Sequence, residues 1–323
     1  MIVAKRILLC LAHMSGNEMK YIQEAFDTNW VVPLGPNVDG FEHDLEAFVG
    51  QNKQVVALSS GTAAVHLALI ACGVQAGDEV MVQSFTFCAS SHPVTYLGAT
   101  PVFVDSERDT WNMDPVLLDE AIADRIAKTG RKPKAIIPVY LYGMPGKIKE
   151  ILAVAAKYGI PVIEDAAEGF GSRYDGKVVG TFGVFGVLSF NGNKMITTSG
   201  GGALICKDVE MRNRIMYFAT QARESYPYYQ HTDVGYNYRM SNICAGIGRG
   251  QMTILEEHIA HHQRLAACYR EAFKNMEGVT FHDNPTAEYD SNFWLNTILI
   301  SPEVKVKGQE NAYSTIVAGA IGG

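Results

Sequence analysis

The sequence predicts a mainly parallel α/β fold, a sheet sandwiched between helices, followed by a smaller α+β unit. Three observations carry this expectation. Short apolar runs alternate with longer helix-patterned stretches up to about residue 165. Those runs are almost unbroken, as strands buried on both faces are. The alternation then gives way to one long helical stretch and a few isolated strands.

Each element has its own signal. Val55–Leu58 reads as a strand, and Thr62–Cys72 places Ala and Leu at helical spacing. Glu79–Gln83 is a strand entered through the turn residues Gly77 and Asp78, and Thr100–Asp105 is another. Met113–Ile126 is helical and opens on Asp114-Pro115, an N-cap and first-turn pair. Ala135–Val139 is a strand, and Ile148–Tyr158 is a helix stopped by Gly159. Pro161–Asp165 is a strand whose last residue is a carboxylate. Val184–Phe190 and Gly202–Cys206 are strand-like with Gly-rich connections. Ser241–Met276 reads as one long helical stretch, and Val279–Phe281 and Asn296–Ser301 as strands of a smaller unit. The expected organisation is an N-terminal arm over 1–15, a large unit over 16–245 and a small one over 246–323.

Composition bounds the function. The chain has 323 residues, 47% of them hydrophobic and 19% charged, enough for a sizeable core. At about 150 residues per domain, two domains, or one large α/β unit with an appendage, are expected. A formal charge of −7 argues against a general nucleic-acid binder, which needs a basic face. The six cysteines form no CxxC pair, which is neither a zinc pattern nor a disulfide scaffold and fits a reducing cytosol. Ile7–Ala12, after Lys5 and Arg6, is shorter than a signal-peptide core and reads as a strand or arm packed on the body. No apolar run approaches the ~20 residues that span a bilayer, so a soluble, cytoplasmic protein is expected.

Three motifs carry chemistry. Ser59-Ser60-Gly61-Thr62 lies between a strand and a helix, where free N–H groups and small hydroxyls can cradle an anion, or simply cap the helix. Glu164-Asp165-Ala-Ala-Glu168 closes an apolar strand. A carboxylate buried there needs a partner such as a cationic ring nitrogen, although it could also cap the next segment. Ser189-Phe-Asn-Gly-Asn-Lys194 and the Thr-Thr-Ser-Gly-Gly-Gly202 that follows shortly after it surround a lysine with small, mostly uncharged residues. Such a lysine is either a surface group or a Schiff-base former in a partly desolvated pocket. Anion cradle, strand-end Asp and pocket Lys, in that order, match the parts of a pyridoxal 5'-phosphate (PLP) site.

With these stand His13-Met-Ser-Gly-Asn-Glu18, Leu58-Ser-Ser-Gly-Thr-Ala-Ala64, Ser84-Phe-Thr-Phe87, Pro101-Val-Phe-Val-Asp105 and Gly235-Tyr-Asn-Tyr-Arg-Met240. Together they resemble the DegT/DnrJ/EryC1/StrS family of PLP-dependent nucleotide-sugar aminotransferases, from about His13 to Ser301. The wording around Asp165 and Lys194 is most similar to the branch that aminates C4 of UDP-linked 4-keto-6-deoxy-hexosamines. The resemblance implies a fold-type I PLP-transferase and the following roles. Lys194 would form the Schiff base and shuttle the proton, and Asp165 would hold the pyridinium N–H. Phe87 would stack on the ring, and Glu168 would sit by its 3-hydroxyl. Ser60, Gly61, Thr62 and Ser189 would hold the phosphate. Asn237 would reach the phosphate of a neighbouring subunit, making a homodimer with a shared site. The substrates would be a UDP-keto-sugar and glutamate, feeding surface-glycan synthesis. A dehydratase branch has His at the Schiff-base position, so Lys194 points to amination.

Other readings stay beside this one. Amination at C3, or of another nucleotide sugar, shares the same motifs. Lys305–Gly323 does not look like the family's small domain, so an incomplete, non-catalytic homologue is also an expectation. His258, His261 and His262 have a helical spacing that can bind metal, but without an HExxH pattern they read as the polar face of a surface helix. Gly200–Gly202 reads as a close approach near Lys194, and Arg223–His231 as an aromatic loop near a sugar or dimer contact.

Overall fold

The computed structural model describes residues 10–304 and the backbone of 317–319. Helices α1 (Glu18–Asp27) and α2 (Pro36–Val49) lead into β1 (Gln54–Leu58). The chain then runs α3 (Gly61–Ala71), β2 (Glu79–Gln83), α4 (His92–Tyr96), β3 (Thr100–Val104), α5 (Pro115–Thr129), β4 (Ala135–Ile137), α6 (Ile148–Tyr158) and β5 (Ile163–Asp165). The hairpin β6 (Arg173–Tyr174) and β7 (Lys177–Val178) precedes β8 (Phe185–Ser189) and β9 (Gly202–Cys206). Helices α7 (Val209–Ala219), α8 (Asn242–Met252) and α9 (Leu255–Phe273) follow, then β10 (Val279–Phe281), β11 (Tyr289–Asp290), β12 (Asn296–Ile300) and β13 (Val317–Gly319).

The main sheet joins two ladders. One runs β3-β2-β4 and the other β1-β9-β8-β5. Parallel bridges Ile136 to Val162 and Val139 to Asp165 stitch β4 to β5. Strands β2, β3, β4, β5 and β8 point the same way. Strand β9 is antiparallel to both β8 and β1, so β1 also points with the majority. The loops after β1, β2, β5 and β8 therefore emerge at one edge, the carboxyl end where ligands of open α/β sheets bind.

Local chemistry sets the element ends. Asp114 accepts from the N–H groups of Val116 and Leu117 at the start of α5, with Pro115 at its first position. Gly130 and Gly159 close α5 and α6 in the left-handed conformation. Helix α3 is apolar all round and is buried from Ala63 to Leu69. The rings of Phe41, Phe170 and Phe190 meet edge to face, at 5.1 Å and 5.9 Å between centroids, below the other face of the sheet.

Two expectations need correcting, and a third lies partly outside the described residues. The helical stretch from Ser241 is two helices, broken at Thr253–Ile254. The Thr253 hydroxyl bonds back to the Gly250 carbonyl at 2.6 Å and Ile254 leaves helical geometry (φ −122°, ψ 5°), so a polar side chain competes with the ladder where no Gly or Pro marks a break. Strand β3 is an edge strand with Phe103 exposed, although it reads as fully apolar. The segment Ile7–Ala12 forms no strand over its described part, 10–12; its first residues, and Lys305–Gly323 except 317–319, lie outside the described residues.

Candidate active site

The turn after β1 is built by capping. The Ser60 hydroxyl accepts from the Ala63 N–H at 3.0 Å and starts α3. Gly61 packs against Ser189 at the end of β8; a Cβ on Gly61 would lie 3.1 Å from the Ser189 Cβ. Ser189 pairs with Gly202, and a Cβ on Gly202 would lie 2.4 Å from the Gly61 nitrogen. The expected close approach of the Gly200–Gly202 run is thus real, but Gly202 meets Ser60–Gly61 and Gly201 meets Thr198 and Met240, rather than Lys194. Sequence spacing could not reveal this, because β9 returns antiparallel beside both β1 and β8. Ser60, Gly61, Thr62 and Ser189 are gathered at one helix N-terminus, where the helix dipole favours an anion.

Asp165 and Glu168 lie on the loop leaving β5. Asp165 is 5% exposed; its Oδ2 accepts from the Ser90 hydroxyl at 2.6 Å and its Oδ1 from the Ala167 N–H at 3.1 Å. Burial pushes its carboxyl up, against these hydrogen bonds and the charge of Lys194. Glu168 accepts from the Tyr142 N–H at 2.7 Å and faces Lys194, whose Nζ is 3.3 Å from Oε1. Burial pushes Glu168 up as well, opposed first by the Lys194 charge. Tyr142 makes its contact from a left-handed backbone (φ +59°), a strained geometry of the kind that gathers at functional sites.

Lys194 is enclosed, not solvated. Its Nζ sits 4.2 Å from the centre of the Trp294 ring, and the Trp294 indole donates to the Asn193 carbonyl at 2.7 Å. Trp294 arrives on a segment anchored by Asn292, whose amide donates to the carbonyls of Glu168 and Phe170 at 2.9 Å each. A cavity of about 490 Å³ opens beside Lys194, between Leu11–Ser15 and α9, with Trp294, His258, His262 and Arg264 in its walls.

Two predicted residues stand apart from this cluster. Phe87 is 68% exposed, on the loop whose Ser90 reaches Asp165. Asn237 is exposed, on a segment that runs beside the end of β1, where the Ser59 N–H donates to the Tyr238 carbonyl at 2.8 Å. Arg239 pins that segment through a buried ion pair with Glu42 at 2.5 Å. Ser90, Tyr142, Trp294 and Gln83 were not foreseen. Gln83 is fully buried, accepts from the N–H groups of Met113 and Val139 and donates to Phe85 and Asn112, holding the loops above β2 and β4. A Gln at a strand's carboxyl end is the one visible signal among them.

The histidines are a correction. His258 and His262 are half-buried, bonded to the carbonyls of Met195 (2.9 Å) and Phe293 (3.1 Å), and line the cavity rather than a solvated face. Among the described residues no group of three or more His, Cys, Asp or Glu is placed to hold a metal ion. Nor, among them, is any helix long and apolar enough to cross a membrane.

The family model for the DegT/DnrJ/EryC1/StrS aminotransferases matches residues 12–315. The chain belongs to this family. It is 48% identical to EpsN of Bacillus subtilis (strain 168), named as a pyridoxal phosphate-dependent aminotransferase, over 92% of this chain and 76% of that protein. It is 38% identical to the GDP-perosamine synthase of Escherichia coli O157:H7, over 88% and 76%. Spr1654 from Streptococcus pneumoniae, solved in its PLP form, superposes with a TM-score of 0.84 at 26% identity, covering 92% of this chain and 78% of that one. The protein is a fold-type I, PLP-dependent sugar aminotransferase.

Proposed function

We propose that this enzyme aminates C4 of a UDP-linked 4-keto-6-deoxy-hexose or hexosamine, with glutamate as nitrogen donor. The observation that carries the reading is the enclosed Lys194 amine, flanked by Glu168 and close enough to Asp165 for its charge to act on that carboxyl. The residues fit the cofactor. Glycine at 61 and 202 lets the start of α3 pack closely against the ends of β8 and β9, so that the small hydroxyl residues Ser60, Thr62 and Ser189 gather at one helix N-terminus, where an anion is favoured. Asp165 is a buried acid whose two oxygens keep lone pairs beyond the Ser90 and Ala167 bonds.

In this reading residues 16–245 form the cofactor-binding unit. Ser60, Gly61, Thr62 and Ser189 hold the phosphate, Asp165 the ring nitrogen, Glu168 the 3-hydroxyl side and Phe87 the ring face. PLP, when bound, supplies an electron sink for the carbon that loses its proton. Lys194 would hold the cofactor through Nζ and, when that amine is free, would take up and return the proton there. Glu168 holds Nζ near this path, and Trp294 walls it off from water.

A homodimer is part of this reading: Asn237 is exposed and its side chain makes no hydrogen bond among the described residues, and it would reach the phosphate of the partner's site. The exposed apolar run Trp30, Val31, Val32 and Leu34, with Phe26 nearby in sequence, supports a covered face. The test incubates the enzyme with glutamate and either UDP- or GDP-linked 4-keto-6-deoxy sugars. A 4-amino product from the UDP sugar, lost in Lys194→Ala, is expected. Amine at another carbon, or turnover of the GDP sugar alone, overturns the substrate assignment.

A further inference from the structure

Ser90 is 1% exposed and has a single hydroxyl proton. An ionised Asp165 can only accept, so Ser90 donates to its Oδ2, at 2.6 Å, the short range of a charge-assisted bond. Thr86 Oγ1 lies 2.8 Å from Ser90 Oγ, and with the Ser90 proton committed, Thr86 is the donor there. The chain of protons runs Thr86 to Ser90 to Asp165. Both hydroxyls flank Phe87 on one loop, which the Ser90 N–H to Phe87 carbonyl bond of 3.1 Å closes on itself. The Ala167 N–H holds the other carboxylate oxygen. The carboxylate is thus held from two sides.

We propose that Ser90 is a positioning residue that fixes the rotation of the Asp165 carboxylate toward the cofactor's ring nitrogen and, through Thr86, couples it to the loop bearing Phe87. This rests on the reading that Asp165 meets that nitrogen. Burial works against the charged carboxylate, and Ser90 is one of the few groups that oppose it. Without the hydroxyl the carboxylate would lose one of its two donors and be held by the Ala167 N–H alone.

The experiment compares PLP with its 1-deaza analogue, in which carbon replaces the ring nitrogen. Both form the same bond with Lys194 and present the same phosphate. Affinities are measured by absorbance titration for the wild type, Ser90→Ala, Ser90→Thr and Thr86→Val. Ser90→Ala is expected to weaken PLP about tenfold, the scale of one charge-assisted hydrogen bond, and the analogue less than about twofold. Ser90→Thr, which keeps the hydroxyl, restores PLP affinity. Equal weakening of both ligands, or none, overturns the proposal. If Ser90→Ala does not fold, Thr86→Val decides, with a smaller PLP-selective loss expected and an equal loss overturning the idea. A wild type that binds PLP and the analogue equally well refutes the Asp165 reading itself.

Discussion

The ammonium of Lys194 rests 4.2 Å from the centre of the Trp294 ring, and the same indole bonds the Asn193 carbonyl. One residue from the last described third of the chain thus grips both the reacting lysine and its neighbour. A buried cation over an indole contributes about 1–2 kcal/mol. Trp294→Ala should lower kcat roughly tenfold by loosening Nζ, whereas Trp294→Phe keeps a ring face and should lose about threefold or less. Single-turnover rates with a keto-sugar check this. Equal losses in the two variants would show that the indole hydrogen bond, not the ring face, matters.

The buried pair of Glu42 and Arg239 fixes the segment that carries Asn237. Glu42 also accepts from the Ala57 N–H at 2.8 Å, and Arg239 donates to the Ala57 carbonyl at 3.0 Å, so α2, β1 and residues 236–240 share one knot. Removing one partner strands the other charge. Glu42→Ala should cost about 3–5 kcal/mol in denaturant unfolding. If Asn237 serves the partner's site, the milder Glu42→Gln should weaken cofactor binding in the dimer without changing the dimer's mass in light scattering.

Much of this was legible in the sequence because strand-end chemistry is local. Ser60 caps α3, Asp165 ends β5, and Lys194 follows β8, each within a few residues of an element whose pattern announces it. What escaped is what folding brings from afar. Ser90 meets Asp165, Asn292 ties its segment to residues 168–170, and Trp294 reaches Lys194. No spacing encodes such contacts. The break at Thr253 escaped for a different reason: a single threonine bonded to a carbonyl three residues back ends α8 without a helix breaker. The histidine trio was misjudged because a helical wheel cannot show that Leu11–Ser15 crosses that face.

Two histidines should make the fold acid-sensitive. Burial pushes both His262 and His282 down to about 4, from an ordinary 6.5. His282 stacks on Trp111 at 3.9 Å between ring centres, and the other histidines on α9 repel a charge on His262. Their folded values lie below their unfolded ones, so the unfolded chain binds more protons between about pH 6.5 and 4. Their contribution to stability is therefore full above about 6.5 and is lost as pH falls toward 4; burial lowers His66 and His258 in the same sense, whereas Asp165 and Glu168, pushed up, act in the opposite one. The urea midpoint should drop across that window in the wild type. His282→Phe, which keeps the stack but cannot titrate, should flatten the drop; an unchanged slope would rule His282 out as a source.

Backbone, not side chain, closes the space around Gly202. A Cβ there would lie 2.4 Å from both the Gly61 nitrogen and the Ser60 carbonyl carbon, and 2.7 Å from the Leu188 oxygen. None of these can swing aside, so Gly202→Ala must push the start of α3 away from β8. Overpacking of this kind costs about 1–3 kcal/mol. It also displaces the N–H groups proposed to hold phosphate, so cofactor affinity should fall by more than thermal stability alone explains. Gly200→Ala is the contrast, because a Cβ on Gly200 meets nothing within 4 Å. Melting curves with and without added PLP separate the two effects. Gly202→Ala should lose most of the stabilisation that the cofactor gives the wild type, and Gly200→Ala should keep it. Should both variants keep it, the turn at Ser60–Gly61 would not be where the phosphate is held.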